Sequence, residues 1–293
     1  MSPTVLPTCD AHNHLQAIRP EGVREESLET AHRLGVEAMV VNGTCEADWS
    51  EVAALAQKHT LVQPSFGYHP WRLSQRSAGW LETLRRYLTE IPAAGVGEIG
   101  IDAWILDQPA GALRRRDGGL GEIVPTPMAE QEQAFLLQLD LAVTRDRAVS
   151  IHCIQAWGRL LELLRSTRLP PRGFLLHSYG GPRELVPQFA ALGAYFGFSG
   201  ALLHERKERQ RDAFRAVPSD RLLLETDAPD QPLPSAWMEQ ALPPSANGRE
   251  QNHPGNLPAI QRFAAAFLGH DLGVFSAQVR INHQRLFGHC THI

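Results

Sequence analysis

The segment Asp10-Ala11-His12-Asn13-His14 carries two histidines one residue apart near the start of the chain. In an extended strand alternate side chains share a face, so His12 and His14 would project together as two imidazoles one pleat apart. Such a pair can hold one metal ion, and the adjacent acid Asp10 favours that reading over a hydrogen-bonded core pair. Further metal-competent groups close later β-rich runs: Glu98 in Gly97-Glu98-Ile99-Gly100, His152 after Ser150-Ile151, His177 after Leu175-Leu176, and Asp227 after Leu224-Glu225-Thr226. Each alone is weak, because a lone His or Asp at a strand end is more often a cap or a core hydrogen-bonder. Four imidazoles and two carboxylates at five strand ends are together enough to hold two divalent metals.

The elements that must gather these residues can be read from the pattern around them. Short β-rich runs at 8–14, 37–41, 61–66, 93–98, 148–152, 174–177, 194–198 and 222–226 alternate with amphipathic stretches at 24–34, 47–59, 80–89, 128–145, 156–165, 182–192 and 205–217. Eight strands alternating with helices predict an α/β chain with a parallel sheet and right-handed crossovers, closed into a (β/α)8 barrel. A doubly wound open sheet is the alternative. A barrel brings the C-terminal ends of its strands into one ring, which would converge the six residues on one site. The stretches 102–127 and 227–258 are rich in Gly, Pro and polar residues, and are expected as long loops on that same face. With no repeat and no linker, residues 1–293 are expected to form one domain.

Composition bounds the function. A chain of 293 residues, 43% apolar and 20% charged, can bury a core without disulfides or metal. Its charge, 28 − 32 = −4, argues against sequence-blind phosphate binding by a basic surface but allows a local patch. Thirteen histidines point to ligation or proton transfer. The N-terminus reads as no secretory signal and no run approaches the ~20 apolar residues of a membrane span, so a cytoplasmic protein without membrane association is expected. Cys9, Cys45, Cys153 and Cys290 are scattered without a C-x-x-C pair, which fits reduced thiols.

With Gly67-Tyr68-His69-Pro70, Gly97-Glu98-Ile99-Gly100-Ile101-Asp102, His177-Ser178-Tyr179-Gly180-Gly181, Glu225-Thr226-Asp227-Ala228-Pro229 and Asn282-His283-Gln284-Arg285-Leu286-Phe287 added, the set resembles the TatD family of metal-dependent deoxyribonucleases. The match runs from the first strand to the last helix. The resemblance implies a TIM barrel of the amidohydrolase-like superfamily, with two divalent ions and DNA or another phosphoester as substrate. Carried over position by position, it puts His12, His14, Glu98 and Asp227 at one ion, lets Glu98 bridge to a second held by His152 and His177, and gives His69 a substrate phosphate. Many two-metal barrels of the superfamily bridge their ions with a carboxylated lysine. The only lysines here, Lys58 and Lys207, lie away from strand ends, so Glu98 must take that place.

The chain also departs from the family. His152-Cys153-Ile154 stands where His-Ser-Arg is usual, so an arginine that could meet phosphate is missing. Asn252-His253-Pro254 replaces Asn-Glu-Pro, as in the branch of TatD-related proteins also found in plants and fungi, and makes His253 a candidate substrate contact at the rim. The expected activity is hydrolysis of a phosphodiester by a water that two metals activate, with Asp227 and Glu98 as the catalytic carboxylates. Mixed His and carboxylate donors suit Zn, Mn or Co and, less readily, Mg. The alternatives are a hydrolase of a small ester, lactone or amide, and an inactive metal-binding scaffold. No obligate protein partner is inferred.

Other features take plain readings. The spacing Gly95-Val96-Gly97-Glu98-Ile99-Gly100 fits a dinucleotide fingerprint, but no helix is expected to open after it. The arginines at 114–116 are expected to be solvated. His32, His59, His204, His270, His289 and His292 are expected at the surface and His283 in a structural role, while Trp71, Trp104 and Trp157 could line a pocket, although aromatics under long loops are more often core, the reading taken here.

Overall fold

The computed structural model describes residues 6–108 and 123–288. Eight parallel strands follow one another in sequential order: β1 (Thr8–Asn13), β2 (Val36–Gly43), β3 (Val62–Phe66), β4 (Gly95–Asp102), β5 (Val149–Ile154), β6 (Phe174–Leu176), β7 (Ala194–Ser199) and β8 (Leu222–Glu225). Their crossovers carry α1 (Glu21–Arg33), α2 (Glu46–Lys58), α3 (Trp80–Glu90), α4 (Met128–Thr144), α5 (Trp157–Arg165), α6 (Val186–Ala191) and α7 (Glu208–Ala213). After β8 come α8 (Leu257–Leu268) and α9 (Leu272–Phe287). The strands are buried almost throughout, as a parallel sheet covered by helices outside and filled within must be. Among the described residues no helix is long and apolar enough to cross a membrane.

The sheet curls until β8 meets β1. Asp227 N–H donates to His12 C=O at 3.0 Å and His14 N–H to Ala228 C=O at 2.7 Å. Lower on the seam the Asp10 carboxylate accepts the Thr226 N–H at 3.0 Å, doing the work of a missing ladder bond. Inside the barrel, Ala11, Val40, Ala148, Leu175, Tyr195 and Leu223 pack with Leu286 and Phe287 of α9. Gln63 donates its amide to Phe287 C=O at 2.9 Å, and Asn282 donates to Ser219 and Leu222 C=O, both at 2.8 Å. The end of α9 therefore plugs the barrel at the N-terminal ends of its strands. Outside, Phe174, Phe196 and Phe198 join a shell of helix side chains, each such burial being worth roughly 1.5–3 kcal/mol.

Two strands are bulged. Asp10 pairs with Met39 and Asn13 with Val41, so Ala11 and His12 together oppose Val40. Val96 pairs with Val149 and Ile99 with Ile151, so Gly97 and Glu98 together oppose Ser150. A bulge re-aims the side chains that follow it. At Gly97 a Cβ would lie 2.9 Å from that of Ser150, so only glycine lets the bulged strand pass.

Several expected boundaries shift. β4 continues past Glu98 to Asp102, so Glu98 lies inside its strand and not at its end. The stretch 205–217 is three short helical pieces, not one helix. The expected loop 227–258 holds two short 3-10 turns, and the helix α8 beyond it, apolar on most faces, was not anticipated. Residues 114–116, His289, His292 and Cys290 lie outside the described residues.

Candidate metal centre

At the C-terminal mouth of the barrel seven side chains face one another. Glu98 lies at the centre, and its two oxygens are divided. Oε2 stands 3.4 Å from His12 Nε2 and 3.2 Å from His14 Nε2. Oε1 stands 2.8 Å from His152 Nδ1, 3.3 Å from His69 Nε2 and 3.7 Å from His177 Nε2. Asp227 Oδ1 completes the first group, 3.7 Å from His12 Nε2 and 3.5 Å from His14 Nε2. Four donors at about 2.1 Å around a tetrahedral ion are about 3.4 Å apart, so the 3.2–3.7 Å spacings of this group fit one divalent ion. Asp227 Oδ1 is buried and has no hydrogen-bond partner among the described residues, as an atom meant for a metal would be. The second group, around Glu98 Oε1, is less regular but offers the same donor chemistry.

The far nitrogen of each ring sorts the histidines. His14 Nδ1 lies 2.8 Å from Asn42 C=O, His152 Nε2 lies 2.9 Å from Asp102 Oδ2, and His177 Nδ1 lies 3.0 Å from Glu225 Oε1. His12 Nδ1 lies 2.7 Å from Ser150 Oγ, a hydroxyl that can accept. His12, His14 and His152 thus engage the outer nitrogen and can turn the inner one's lone pair toward a cation, which is how a metal-binding imidazole is held, while His177 has Glu225 beside its outer nitrogen without a formed hydrogen bond. His69 is wired the other way: its Nδ1 accepts the Trp71 N–H at 3.1 Å, so its Nε2 keeps the proton and points it at the site. Burial holds this ring neutral, its pKa lowered to about 4. His69 lies close enough to count among the possible ligands of Glu98 and His152, yet its tautomer makes it a hydrogen-bond donor.

The electrostatics agree. Burial opposes charge on His14 and His152, but Glu98 with Asp227 pushes His14 up to about 10, and Asp102 with Glu98 pushes His152 up to about 10. His177, buried but beside Glu225 and Asp227, is pushed up to about 9. Glu98, though buried, is held well below the usual range by the surrounding imidazoles. Burial raises Asp227 to about 7. Burial and the neighbouring His177 instead lower His12 to about 3, so the carboxylates draw positive charge to His14, His152 and His177, charge of the kind divalent cations supply.

The structure brings His12, His14, Glu98, His152, His177, Asp227 and His69 together, as expected, but not His253. That ring is buried; its Nδ1 accepts the Gly255 N–H at 2.8 Å, capping a 3-10 turn, and it is not among the residues lining the cavity over the site. Its place two residues before Gly255 gives it a local acceptor role, so the expected substrate contact is not formed. Asp10, taken beside the histidines as support for a metal, instead faces the seam with β8. The bulge at Ala11–His12 is the reason: by simple alternation Asp10 would share the face of His12, and one extra residue reverses it. Sequence reasoning passed over Asp102 and Glu225, although each follows a site residue's face at even spacing: Glu225 two before Asp227, Asp102 four after Glu98. Gly197 makes room for Glu225, since a Cβ there would sit 2.1 Å from Oε2.

Above the centre opens a cavity of about 1040 Å³. Trp71 and Trp157 line it half-exposed and Trp104 is half-buried nearby, so the expectation that all three are core is corrected; a loop over an open mouth cannot seal large rings. Trp71 Nε1–H also donates to Asp102 Oδ2 at 2.7 Å. His32 and His270 are exposed, as expected; His59 is half-buried and lies 2.9 Å from Glu25, and His204 is half-buried on Pro232 C=O. His283 is buried beside Phe287.

Comparison with known proteins converges on one family. A family model described as TatD related DNase matches residues 9–288. The 3'-5' ssDNA/RNA exonuclease TatD of Erwinia tasmaniensis is 30% identical over 270 residues, covering 90% of this chain and 93% of that protein. YjjV of Escherichia coli K12, an uncharacterized metal-dependent hydrolase, is 32% identical over 227 residues, 76% of this chain and 80% of its own. The crystal structure of YjjV, a TatD homologue, superposes with a TM-score of 0.80 at 26% identity, over 96% of this chain and 98% of that one. With the barrel and its His/carboxylate centre in place, the chain belongs to the TatD family of metal-dependent hydrolases, the TatD-related DNases.

Proposed function

We propose that the chain hydrolyses phosphodiester bonds of DNA or RNA with two divalent ions, the whole barrel serving as one catalytic domain. The observation that carries this reading is the division of Glu98: one oxygen toward His12 and His14, the other toward His152 and His177. A carboxylate shared in this way would bridge two ions. His12, His14, Glu98 and Asp227 would hold one ion, and Glu98, His152 and His177 the other. The nitrogen-rich donor set favours Zn, Mn or Co over Mg. Relatives named as 3'-5' ssDNA/RNA exonucleases give the substrate class.

Divalent ions held here would lower the pKa of water and neutralise charge on the phosphate. The chain's own residues do the rest. Asp227 Oδ1, buried and unpartnered, accepts the proton of the attacking water. His69 donates its Nε2–H to a non-bridging phosphate oxygen, with the tautomer fixed by the Trp71 N–H. Burial excludes bulk water, so these contacts act at low dielectric.

A small ester, lactone or amide is the second reading. It is favoured by the apolar Ile154 in the cavity lining, where the family usually has arginine, and by the engagement of the lining's Arg19 and Arg183 with Glu51 and Asp212. The test is cleavage of a 5'-labelled single-stranded oligonucleotide by Mn-loaded protein, beside a panel of small esters and lactones, with metal analysis of wild type and Asp227→Asn. Shortening of the oligonucleotide by wild type and not by the variant supports the nuclease. Turnover of a small ester with an intact oligonucleotide overturns it.

A further inference from the structure

Around Asp227 runs a chain of short polar contacts. Asp227 Oδ2 accepts the Gln231 Nε2–H at 2.7 Å, and the same amide nitrogen donates to Ser178 Oγ at 2.7 Å. Gln231 Oε1 accepts the Ser199 hydroxyl at 2.7 Å. Ser178, its oxygen occupied by Gln231, donates its hydroxyl to Glu225 Oε1 at 2.8 Å, and its backbone N–H donates to the same oxygen at 2.6 Å. Glu225 Oε1 in turn stands 3.0 Å from His177 Nδ1. The Gln231 amide takes this orientation beside an ionised Asp227, because the carbonyl end turned toward the carboxylate would set acceptor against acceptor. One side chain thus links the outer oxygen of Asp227 through Ser178 to Glu225, whose Oε1 lies beside the outer nitrogen of His177 without a formed hydrogen bond.

The backbone is bent for this purpose at three of its nodes. Asp227, Ser178 and Gln231 all lie in the left-handed region, at φ +56, +43 and +51. Non-glycine residues enter that region at a cost, and they persist there where the surroundings over-determine them. Their clustering on one network separates it from an incidental set of polar contacts.

We infer that Gln231 is a positioning residue: by engaging Asp227 Oδ2 it turns Oδ1 toward His12 and His14 and sets the Asp227 carboxylate in one orientation together with His177. A carboxylate without this donor rotates about its Cβ–Cγ bond and presents either oxygen, so the site would hold its ion with a less ordered ligand. Gln231 touches none of the reacting atoms in this scheme and acts through Asp227. The inference rests on the assignment of Asp227 as a ligand and proton acceptor.

The test compares Gln231→Met, which keeps the length of the side chain and removes both polar atoms, with Asp227→Asn and with the double variant in the full chain. Calorimetric Mn2+ titration, kinetics on a labelled single-stranded oligonucleotide and thermal unfolding of metal-free protein are the readouts. The expected result for Gln231→Met is roughly a ten- to hundred-fold loss in Mn2+ affinity, kcat falling in step, with KM and metal-free Tm little changed. In the Asp227→Asn background the same substitution should change Mn2+ affinity by less than about two-fold, because the carboxylate whose second oxygen Gln231 turns inward is gone. Unchanged affinity in the single variant, or the full effect in both backgrounds, overturns the inference. If Gln231→Met does not fold, Ser199→Ala, which frees the amide to rotate, should weaken Mn2+ in the same direction by a smaller factor; no change overturns the inference. Asp227→Asn without effect on Mn2+ would bring down the ligand assignment itself, whereas a strong Asp227→Asn beside a silent Gln231→Met brings down only the role of Gln231.

Discussion

The two ends of the barrel are made by the same eight strands and put their buried groups to different uses. At the lower end Leu286 and Phe287 fill the lumen, and the Asn282 amide spends both of its N–H groups on the carbonyls of Ser219 and Leu222. At the upper end acids and imidazoles crowd around Glu98, Asp227 Oδ1 and Glu225 Oε2 have no hydrogen-bond partner among the described residues, and four of the five described non-glycine residues with left-handed backbone, Gln155, Ser178, Asp227 and Gln231, gather here. One end is arranged for closure and the other for reaction. The separation explains how the fold carries an unstable cluster: packing at the plug compensates what the mouth costs.

Substitutions can break this division, and the largest effect belongs at the mouth. Glu98→Gln removes the charge that both histidine groups share. Hydrolysis should fall at least about a thousand-fold, or about 4 kcal/mol, with loss of bound metal and only a small shift in the melting temperature of the metal-free protein. Calorimetry beside an activity assay checks it, and full activity would end the bridging assignment. At the plug Phe287→Ala should do the reverse: about 3–5 kcal/mol less stable by denaturant unfolding, with unchanged turnover per folded molecule.

His283, also at the lower end, sharpens the comparison through pH. Burial lowers its pKa to about 4, and Nε2 has no partner. The folded protein therefore keeps this ring neutral, while the unfolded chain takes up a proton below about 6.5. Stability is complete above pH 6.5 and is lost as pH falls toward 4, by roughly 2–3 kcal/mol between pH 7 and 4.5. His283→Leu should remove that part of the acid sensitivity, read by denaturant unfolding at the two pH values; an equal acid loss in both proteins would refute it.

The smallest effect tests how the mouth is supported. Asp102 accepts from His152 Nε2, Trp71 Nε1 and Ile105 N, all donors, so the NH2 of Asn would meet a donor wherever it turned. Asp102→Asn should cost roughly ten- to hundred-fold in metal affinity and leave the fold intact. Near-wild-type Mn2+ binding would show that His152 is held by packing alone.

Much of the mouth was legible in the chain because strand alternation and strand ends are local signals. The pair His12 and His14, then Glu98, His152, His177 and Asp227, could be found from type and spacing alone. Asp102 and Glu225 lay within the same alternation and were passed over because no metal ligand was expected of them. His253 misled for the opposite reason: its type suggested a contact, but the Gly255 N–H two residues on captured its ring. Asp10 misled because alternation assumes an unbroken ladder.

Periodicity and residue type carry the alternation of strands and helices, the kinds of donor atom and the order in which they appear, whereas the closing of the sheet into a barrel shows in the contacts of β8 with β1. Only the tertiary structure decided which face Asp10 takes, because a single bulged residue reverses every side chain beyond it. Only the tertiary structure decided which histidine binds and which donates. The proton's place on each ring is set by what meets the other nitrogen: for His12, His14, His152 and His177 that is a group far off in the chain, Ser150, Asn42, Asp102 or Glu225. For His69 it is the Trp71 amide, which faces the ring only once the turn after β3 has formed.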